Sequence, residues 1–364
     1  MSKNPNIPIN AICPYYTMFP LSFPLRVLAG RKAVNGWVAD PFCGRGTTNL
    51  AARVWGLPTF GIDSSPVAAA ITEAKLAAAT VEDVLREVRG ILADSASPAA
   101  VPTGDFWTLM YRDDALTDLC KLREALLVDC STGARKILRA IILGALHGPL
   151  AKNTPSYFSN QCPRTYAPKP AYAVKFWRTR GLLPPKVATE QVIRFRAERY
   201  LYESPSLVNS AVKQGDSRCD DSYPDVKVGL VVTSPPYYGM RTYVPDQWIR
   251  AWFLGGPSKV DYRHPADEIC HSSPDDFATN LRSVWLSLAK RARPDARLVI
   301  RFGGINDRKA DHVTIMKESL KDSGWRLRTM RSAGDADSGR RQASQFRLTA
   351  SSPRPEHDFY AVPV

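Results

Sequence analysis

Short, uninterrupted apolar runs recur along the chain, separated by stretches of helical periodicity. Gly229-Leu230-Val231-Val232 is one such run, and 36–39, 58–62 and 296–302 are others. Apolar or β-branched residues that do not alternate with polar ones predict strands buried on both faces. Between such runs the apolar positions return every three or four residues, as in 133–146. Alternating strands and helices predict a doubly wound α/β sheet.

The last two strand-like segments, Trp325–Met330 and His357–Val362, have no helical pattern between them. Parallel neighbours need a long crossover, so two strands joined without a helix predict an antiparallel hairpin at the end of the sheet. A further short strand is predicted at Ser206–Val212, ahead of Asp216.

The segment 80–205 differs from the sheet-forming parts because its hydrophobic pattern is mainly helical. Thr80 and Asp83 form a capping-box pattern that predicts a helix to about Ala93. Further helices are predicted over 114–128, 133–146 and 187–202, with a basic, proline-rich loop at 149–186. We therefore expect two sheet-forming parts, at 1–79 and 206–364, and a mainly helical insertion at 80–205.

The charge changes this picture, because 49 Lys and Arg against 35 Asp and Glu give a net charge of +14. A charge of this size favours a polyanionic partner, although a basic surface that only aids solubility is an alternative. The loop 149–186 interleaves cations with rings that can stack on bases. The predicted DNA-binding residues are Lys152, Arg164, Lys169, Lys175, Arg178, Arg180, Arg340 and Arg341. For the last two, which lie between the final strands, a surface loop is the alternative.

Several classes of protein are disfavoured. No apolar run is long enough for a transmembrane helix, and the N-terminus has no signal core, so no membrane partner is expected. The seven cysteines never form a CxxC pair and the five histidines are scattered. We therefore expect neither a metal site nor a disulfide framework, and we expect a reducing cytoplasm.

A glycine-containing loop, Asp40-Pro-Phe-Cys-Gly-Arg-Gly-Thr-Thr48, follows the predicted strand 36–39 and precedes a helix predicted at 49–55. Glycines let backbone approach a ligand closely, and a helix N-terminus offers free N–H groups. Asp63, which ends the next predicted strand, is placed to accept hydrogen bonds from ribose hydroxyls. The pattern lacks the third glycine of the dinucleotide fingerprint and the GK[ST] of a P-loop. A tight turn without a ligand is the alternative.

The run Thr233-Ser-Pro-Pro-Tyr237 ends the strand that begins at Gly229. Two prolines cannot donate to a strand ladder, so the strand must stop there and hold Ser234 and Tyr237 on a stiff loop. Asp216 follows another strand. Ligands of open α/β sheets bind at the carboxyl ends of the strands, so these residues are expected at one edge.

Together, residues 233–237 and 40–48 resemble the motifs of the S-adenosylmethionine-dependent DNA amino-methyltransferases, which methylate cytosine N4 or adenine N6. The resemblance covers about 1–79, which it implies is the cofactor half, and 206–364, the catalytic half. We expect the insertion 80–205 to hold much of target recognition, through the loop 149–186. It implies a Rossmann-like, seven-stranded methyltransferase sheet with an antiparallel last strand. The expected contacts to S-adenosyl-L-methionine are Tyr16, Thr17, Asp40, Phe42, Cys43, Gly44, Gly46, Thr47, Thr48, Asp63, Ser64, Asp216 and Ser217. The expected catalytic residues are Ser234, Pro235, Pro236 and Tyr237.

An exocyclic amine is a poor nucleophile because its lone pair is delocalised into the ring. We expect the Ser234 hydroxyl and the Pro235 carbonyl to accept its protons, and Tyr237 to stack on a base flipped out of double-stranded DNA. Serine at this position of the family's loop favours cytosine N4, with adenine N6 as the alternative. Less favoured hypotheses are RNA or protein-glutamine methylation and a non-catalytic DNA-binding subunit. The sequence leaves open whether a cognate restriction or defence protein accompanies the enzyme.

Overall fold

The structure is a computed structural model, and it describes residues 7–15, 19–29, 34–149, 156–159, 161–162, 166–239, 245–262, 269, 271–304, 310–335 and 355–364. Seven strands in these ranges form one sheet in the order β3-β2-β1-β4-β5-β7-β6. The strands are β1 Trp37–Asp40, β2 Thr59–Asp63, β3 Ser210–Gln214, β4 Val228–Thr233, β5 Ala292–Gly303, β6 Trp325–Asp335 and β7 Pro355–Pro363.

The strand directions confirm the predicted fold class. Strands β1 to β5 pair in parallel, whereas β7 runs antiparallel to both of its neighbours. The predicted closing hairpin is therefore present, with Leu327 opposite Ala361. The predicted strand at 206–212 is misplaced: β3 begins at Ser210, and its backbone pairs with β2 from Thr59↔Ser210 to Asp63↔Gln214.

Helices connect the strands as the periodicity predicts. They are α1 Ser22–Ala29, α2 Thr47–Val54, α3 Pro66–Leu76, α4 Val81–Leu92, α5 Asp105–Met110, α6 Asp113–Val128, α7 Gly133–Ala145, α8 Pro170–Thr179, α9 Thr189–Leu201, α10 Trp248–Phe253, α11 Pro274–Ala289 and α12 His312–Leu320. The predicted capping box is formed, with Asp83 N donating to Thr80 Oγ1 at 3.1 Å and Thr80 N donating to Asp83 Oδ2 at 3.0 Å. None of the helices in the described ranges combines the length and apolarity needed to cross a membrane.

The prediction of a continuous loop at 149–186 is wrong in part, because α8 lies within it. Pro170 occupies the first turn of α8, where its missing N–H costs nothing, and Ala173 and Trp177 bury one face of the helix. Helical periodicity over ten residues is hard to recognise when prolines flank it.

The sheet is covered on both faces, and β4 is buried along its whole length. Leu230 and Val232 pack into one cluster with residues of α1 and α2, and Val231 packs into another beneath α11 and α12. Burial on both faces explains the uninterrupted apolar run of β4. The buried side chains of α4 to α9 share a third cluster with α3, α10 and Ile9. The assignment of 80–205 as a domain of its own stays a prediction.

Candidate active site

Four strand ends meet at one edge of the sheet. Asp40 ends β1, Asp63 ends β2 and Thr233 ends β4, while Asp216 follows β3 by two residues. These strands are parallel, so their carboxyl ends lie on the same side. The chain order reverses between β1 and β4, and such a switch point opens a crevice where ligands of this sheet type bind.

The glycine loop adopts a conformation that other residues would not tolerate. Gly44 and Gly46 have φ angles of +52° and +72°. A Cβ added to Gly46 would lie 2.8 Å from the Thr72 side chain on α3, so the loop packs directly against that helix. Gly44 N donates to Asp63 Oδ2 at 2.9 Å, and Ser65 N donates to Asp63 Oδ1 at 3.0 Å. The loop thereby ties the ends of β1 and β2 together.

Asp40 connects this loop to strand β4. Its Oδ1 accepts hydrogen bonds from Thr233 Oγ1 at 2.6 Å and from Phe42 N at 3.2 Å. Its Oδ2 is inaccessible to solvent and has no hydrogen-bond partner within the described part of the chain. Burial raises the pKa of Asp40 to about 7, even though the nearby hydroxyls of Thr233 and Thr48 and the Phe42 N–H lower it. A buried carboxylate oxygen of this kind suits a cationic group of a ligand.

The Ser-Pro-Pro-Tyr loop begins one residue after that contact. Ser234 is half-buried, and none of the residues that the structure describes bonds to its hydroxyl. Pro235 is buried and Pro236 is half-buried. The Tyr237 ring meets Phe302 edge to face at 5.4 Å, and its hydroxyl donates to Glu356 Oε1 at 2.5 Å. The loop is therefore fixed at both ends, and its serine hydroxyl remains available to a ligand.

Asp216 is held differently from the other acids. Arg218 donates to its carboxylate through Nε at 2.9 Å and through Nη2 at 2.6 Å. Burial raises and the Arg218 hydrogen bonds lower the pKa of Asp216, with a net decrease. The neighbouring Ser217 accepts a hydrogen bond from Tyr223 through its carbonyl at 2.6 Å. Asp216 thus reaches the edge as an ionised acid that already has a cationic partner.

The other predicted cofactor residues surround the glycine loop. Phe42 contacts Trp285 edge to face at 6.3 Å, and Thr48 Oγ1 donates to the Val232 carbonyl of β4 at 2.9 Å. Cys43 and Thr47 are buried, and Ser64 is half-buried beside Asp63. Tyr16 and Thr17 lie outside the described residues. Tyr15, just before them, lies close enough to Asp63 that burial and this carboxylate raise the pKa of its hydroxyl.

Sequence reasoning missed three contributors to this edge: Arg45, Thr233 and Glu356. Thr233 could have been recognised from its position at the strand end, directly before Ser234. Glu356 could not, because its contact with Tyr237 depends on the register that sets Glu356 opposite Gly303 of β5. Arg45 lies inside the glycine motif but is not among the predicted contacts.

The predicted DNA-binding cations divide into two groups. Lys169, Lys175, Arg178 and Arg180 are exposed on or next to α8, whereas Lys152, Arg164, Arg340 and Arg341 lie outside the described residues. On α8 the rings of Tyr172 and Phe176 stack with centroids 6.2 Å apart, and the Arg180 guanidinium lies 3.9 Å from the Phe176 centroid. In this ladder, with one residue per helical turn, Tyr172 and Arg180 are exposed and Phe176 is half-buried, so the ladder presents π-faces and positive charge together.

The start of α8 is anchored beside the segment that follows the catalytic loop. Ala167 N donates to the Asp246 carbonyl at 2.7 Å, and Trp248 Nε1 donates to the Pro168 carbonyl at 3.4 Å. Of the rings predicted to interleave with these cations, Phe158 and Trp177 are buried core residues. Stacking on a base is therefore excluded for these two rings.

Comparison with known proteins adds little beyond this geometry. No family model and no curated protein matches the chain. Among solved structures, an rRNA methyltransferase from Streptomyces viridochromogenes is 14% identical, with 96% of this chain and 86% of that chain covered and a TM-score of 0.33. An rRNA methylase from Streptococcus thermophilus is 8% identical, covers 96% and 98%, and has a TM-score of 0.35. A SAM-dependent methyltransferase from Methanosarcina mazei is 9% identical, covers 93% and 97%, and has a TM-score of 0.36. Since these TM-scores are below 0.5, the fold assignment rests on the strand order and directions.

Proposed function

We propose that this protein is an S-adenosylmethionine-dependent DNA methyltransferase that modifies the exocyclic amine of a flipped base, with cytosine N4 as the preferred target. The hydrogen bond between Thr233 and Asp40 carries the proposal. It joins the glycine loop to strand β4, which ends directly before Ser234. A methyl donor bound by the glycine loop and an amine bound beside Ser234 would therefore meet at the carboxyl edge of the sheet.

The residues at the strand ends fit the donor. Asp40 Oδ2 is a buried acceptor that suits the ammonium of the methionine part. Asp63 suits the ribose hydroxyls, and Asp216 suits the adenine amino group. Gly44 and Gly46 allow the close approach that a bound nucleoside requires. Bound there, the donor supplies an electrophilic methyl group on a sulfonium sulfur.

The catalytic loop would activate the amine. The Ser234 hydroxyl and the Pro235 carbonyl accept hydrogen bonds from the two N–H groups and turn the nitrogen lone pair toward the methyl carbon. The bound donor would supply its methyl group to this nitrogen and keep the C–S bonding pair on sulfur, and the proton lost from the nitrogen would pass to solvent. These acceptors fit a tetrahedral nitrogen better than a planar one, so they stabilise the transition state.

Tyr237 is positioned to support the flipped base. Its ring is half-buried at the carboxyl edge, and its contacts with Phe302 and Glu356 restrict its orientation. A ring held in this way loses little entropy when a base stacks on it. The ladder Tyr172–Phe176–Arg180 and the net charge of +14 favour a nucleic-acid substrate over a protein.

The choice of DNA and of cytosine N4 rests on the resemblance of the Thr-Ser-Pro-Pro-Tyr loop. Adenine N6 is the second candidate base. Methylation of RNA or of a protein glutamine and a non-catalytic DNA-binding role are less favoured, because Ser234 and the acids at the strand ends fit them less well. A restriction or defence protein is an additional candidate partner.

Methyl transfer tests the proposal directly. The protein is incubated with labelled S-adenosylmethionine and duplex DNA, and the modified nucleosides are separated. We expect N4-methylcytosine, with transfer reduced on the order of 100-fold or more in Ser234→Ala. Tyr237→Ala should lose transfer as well, whereas the control Tyr237→Phe keeps the ring and should retain most of it. Undiminished transfer by Ser234→Ala would refute the mechanism. Labelling of tRNA or protein in place of DNA would refute the assigned substrate.

A further inference from the structure

Arg45 is a buried cation without a hydrogen-bond or ion-pair partner among the described residues. It lies between Gly44 and Gly46, and only 9% of its surface is exposed. Its Nε is inaccessible and unbonded, and no residue that the structure describes forms an ion pair with its guanidinium. Burial lowers the pKa of Arg45 to about 10. A desolvated guanidinium that lacks acceptors destabilises the folded protein unless something else supplies them.

Other buried arginines in this protein have hydrogen-bond acceptors. Arg53 donates to four backbone carbonyls, among them those of Lys75 and Ala77 at 2.6 Å and 2.7 Å. Arg250 bonds to two carbonyls and to Gln247, and Arg301 forms a two-pronged ion pair with Asp358. Arg45 therefore departs from the pattern that the rest of this fold follows.

A second basic side chain lies near Arg45. Lys75 on α3 is fully buried and donates to Asn10 Oδ1 at 3.0 Å. Burial, followed by the nearby Arg45 charge, lowers the pKa of Lys75 well below its ordinary value, which favours the neutral amine and leaves Arg45 as the cation of this site. A guanidinium with no acceptor among the described residues suits a small anion. A phosphate of duplex DNA is excluded, because a backbone group on a wide double helix cannot reach a side chain that is nine-tenths buried.

We propose that Arg45 binds the carboxylate of the methionine part of S-adenosylmethionine. The inference rests on the proposed function. Arg45 belongs to the same loop as Asp40. Arg45 lacks a hydrogen-bond acceptor, whereas Asp40 Oδ2 lacks a hydrogen-bond donor among the described residues. Within the described residues, this loop thus carries a buried carboxylate oxygen and a buried guanidinium without hydrogen-bond partners, five positions apart in sequence, and a zwitterionic amino-acid group offers a partner to each.

Calorimetric binding of two probes tests this inference without turnover. S-adenosylhomocysteine carries the carboxylate, and its decarboxylated analogue keeps the amine and the nucleoside. We expect the unaltered protein to bind S-adenosylhomocysteine about 30-fold more tightly than the analogue, as a charge-assisted hydrogen bond predicts. Arg45→Met should lose that preference: binding of S-adenosylhomocysteine weakens by a similar factor, and binding of the analogue stays within about twofold.

Arg53→Met is the matched control. Arg53 is also buried, on the helix α2 that follows the glycine loop, but its guanidinium already bonds to four backbone carbonyls and stabilises the fold. It should lower the melting temperature and change both affinities by the same factor, whereas Arg45→Met should not lower the melting temperature of the ligand-free protein. Equal weakening of both probes by Arg45→Met would overturn the inference, as would an unaltered protein that does not distinguish the probes. If the unaltered protein binds neither probe, the proposed function fails together with the inference.

Discussion

Asp40→Asn is the substitution that separates folding from ligand binding at this site. The asparagine Oδ1 can still accept the hydrogen bonds from Thr233 and Phe42, so the link between the glycine loop and β4 is kept. The amide nitrogen then replaces the buried, unbonded Oδ2. The variant thus removes a desolvated charge without changing shape. We expect it to stabilise the ligand-free protein and to weaken cofactor binding.

The size of the gain depends on pH. Burial raises the pKa of Asp40 from 3.8 to about 7, so between these values the folded protein binds the proton more tightly than the unfolded chain. The unfolded state then loses its proton first, and the free energy of unfolding falls as pH rises through this window. The full shift corresponds to about 4 kcal/mol, and we expect about 2 kcal/mol because the surroundings relax around a charge. The asparagine variant avoids this loss.

Urea denaturation of the ligand-free proteins at about pH 4.5 and about pH 8 measures the effect. The stability of Asp40→Asn relative to the unaltered protein should increase between the two pH values. Asp83→Asn is the control, since hydrogen bonds from Thr80 lower the pKa of that exposed acid below 3.8, so its relative stability should stay nearly constant between these two pH values. Isothermal titration with S-adenosylhomocysteine should show roughly tenfold weaker binding by Asp40→Asn, because an amide donor then faces the ammonium. Two results would refute the reasoning: an Asp40→Asn protein less stable than the unaltered protein at pH 8, or one that binds S-adenosylhomocysteine with unchanged affinity.

Two further predictions concern the loop and the basic helix. Gly46→Ala should cost about 2 to 4 kcal/mol in urea denaturation, because its φ is +72° and the added Cβ would lie 2.8 Å from Thr72. Gly56→Ala isolates the backbone part of that cost, since Gly56 has φ +67° with no atom within 4 Å of an added Cβ; equal costs for the two variants would contradict the packing argument. Replacing both Lys175 and Arg180 by glutamine should weaken the salt dependence of duplex binding. The slope of the logarithm of the binding constant against the logarithm of the salt concentration should become smaller in magnitude by about 2. The exposed control Arg86→Gln on α4 should leave the slope unchanged, and an unchanged slope in the double variant would remove α8 from the interface.

The strands of the site were predictable because each carries a local signal. The run that ends at Thr233 is apolar on both faces, and prolines stop it, so the position of Ser234 at a strand end follows from Val231 to Pro236 alone. Gly44 and Gly46 likewise signal a turn that only glycine tolerates, and the structure shows positive φ at both. Local stereochemistry was sufficient for these elements.

The contacts that orient the side chains were not predictable, because they depend on pairing between distant segments. Tyr237 meets Glu356 only because β7 runs antiparallel to β5 in a register that places Glu356 opposite Gly303. A shift of one residue would turn Glu356 to the other face. The helix α8 was missed for a different reason: prolines and cations dominate its flanks, and its apolar face has only two fully buried residues, Ala173 and Trp177.

The distribution of unsatisfied buried groups favours a ligand at the glycine loop over a purely structural turn. Within the described residues, six buried side-chain atoms lack a hydrogen-bond partner, and those of Asp40, Arg45 and Asn49 lie within ten residues of one another. The other three are single nitrogens of Arg139, Arg282 and Arg291, whose guanidinium groups bond elsewhere. A purely structural turn is not expected to place a carboxylate oxygen and a guanidinium nitrogen without hydrogen-bond partners together at the switch point of the sheet. Stability is lost where a zwitterionic ligand would restore it, and the opposite effects expected of Asp40→Asn on folding and on binding follow from this arrangement.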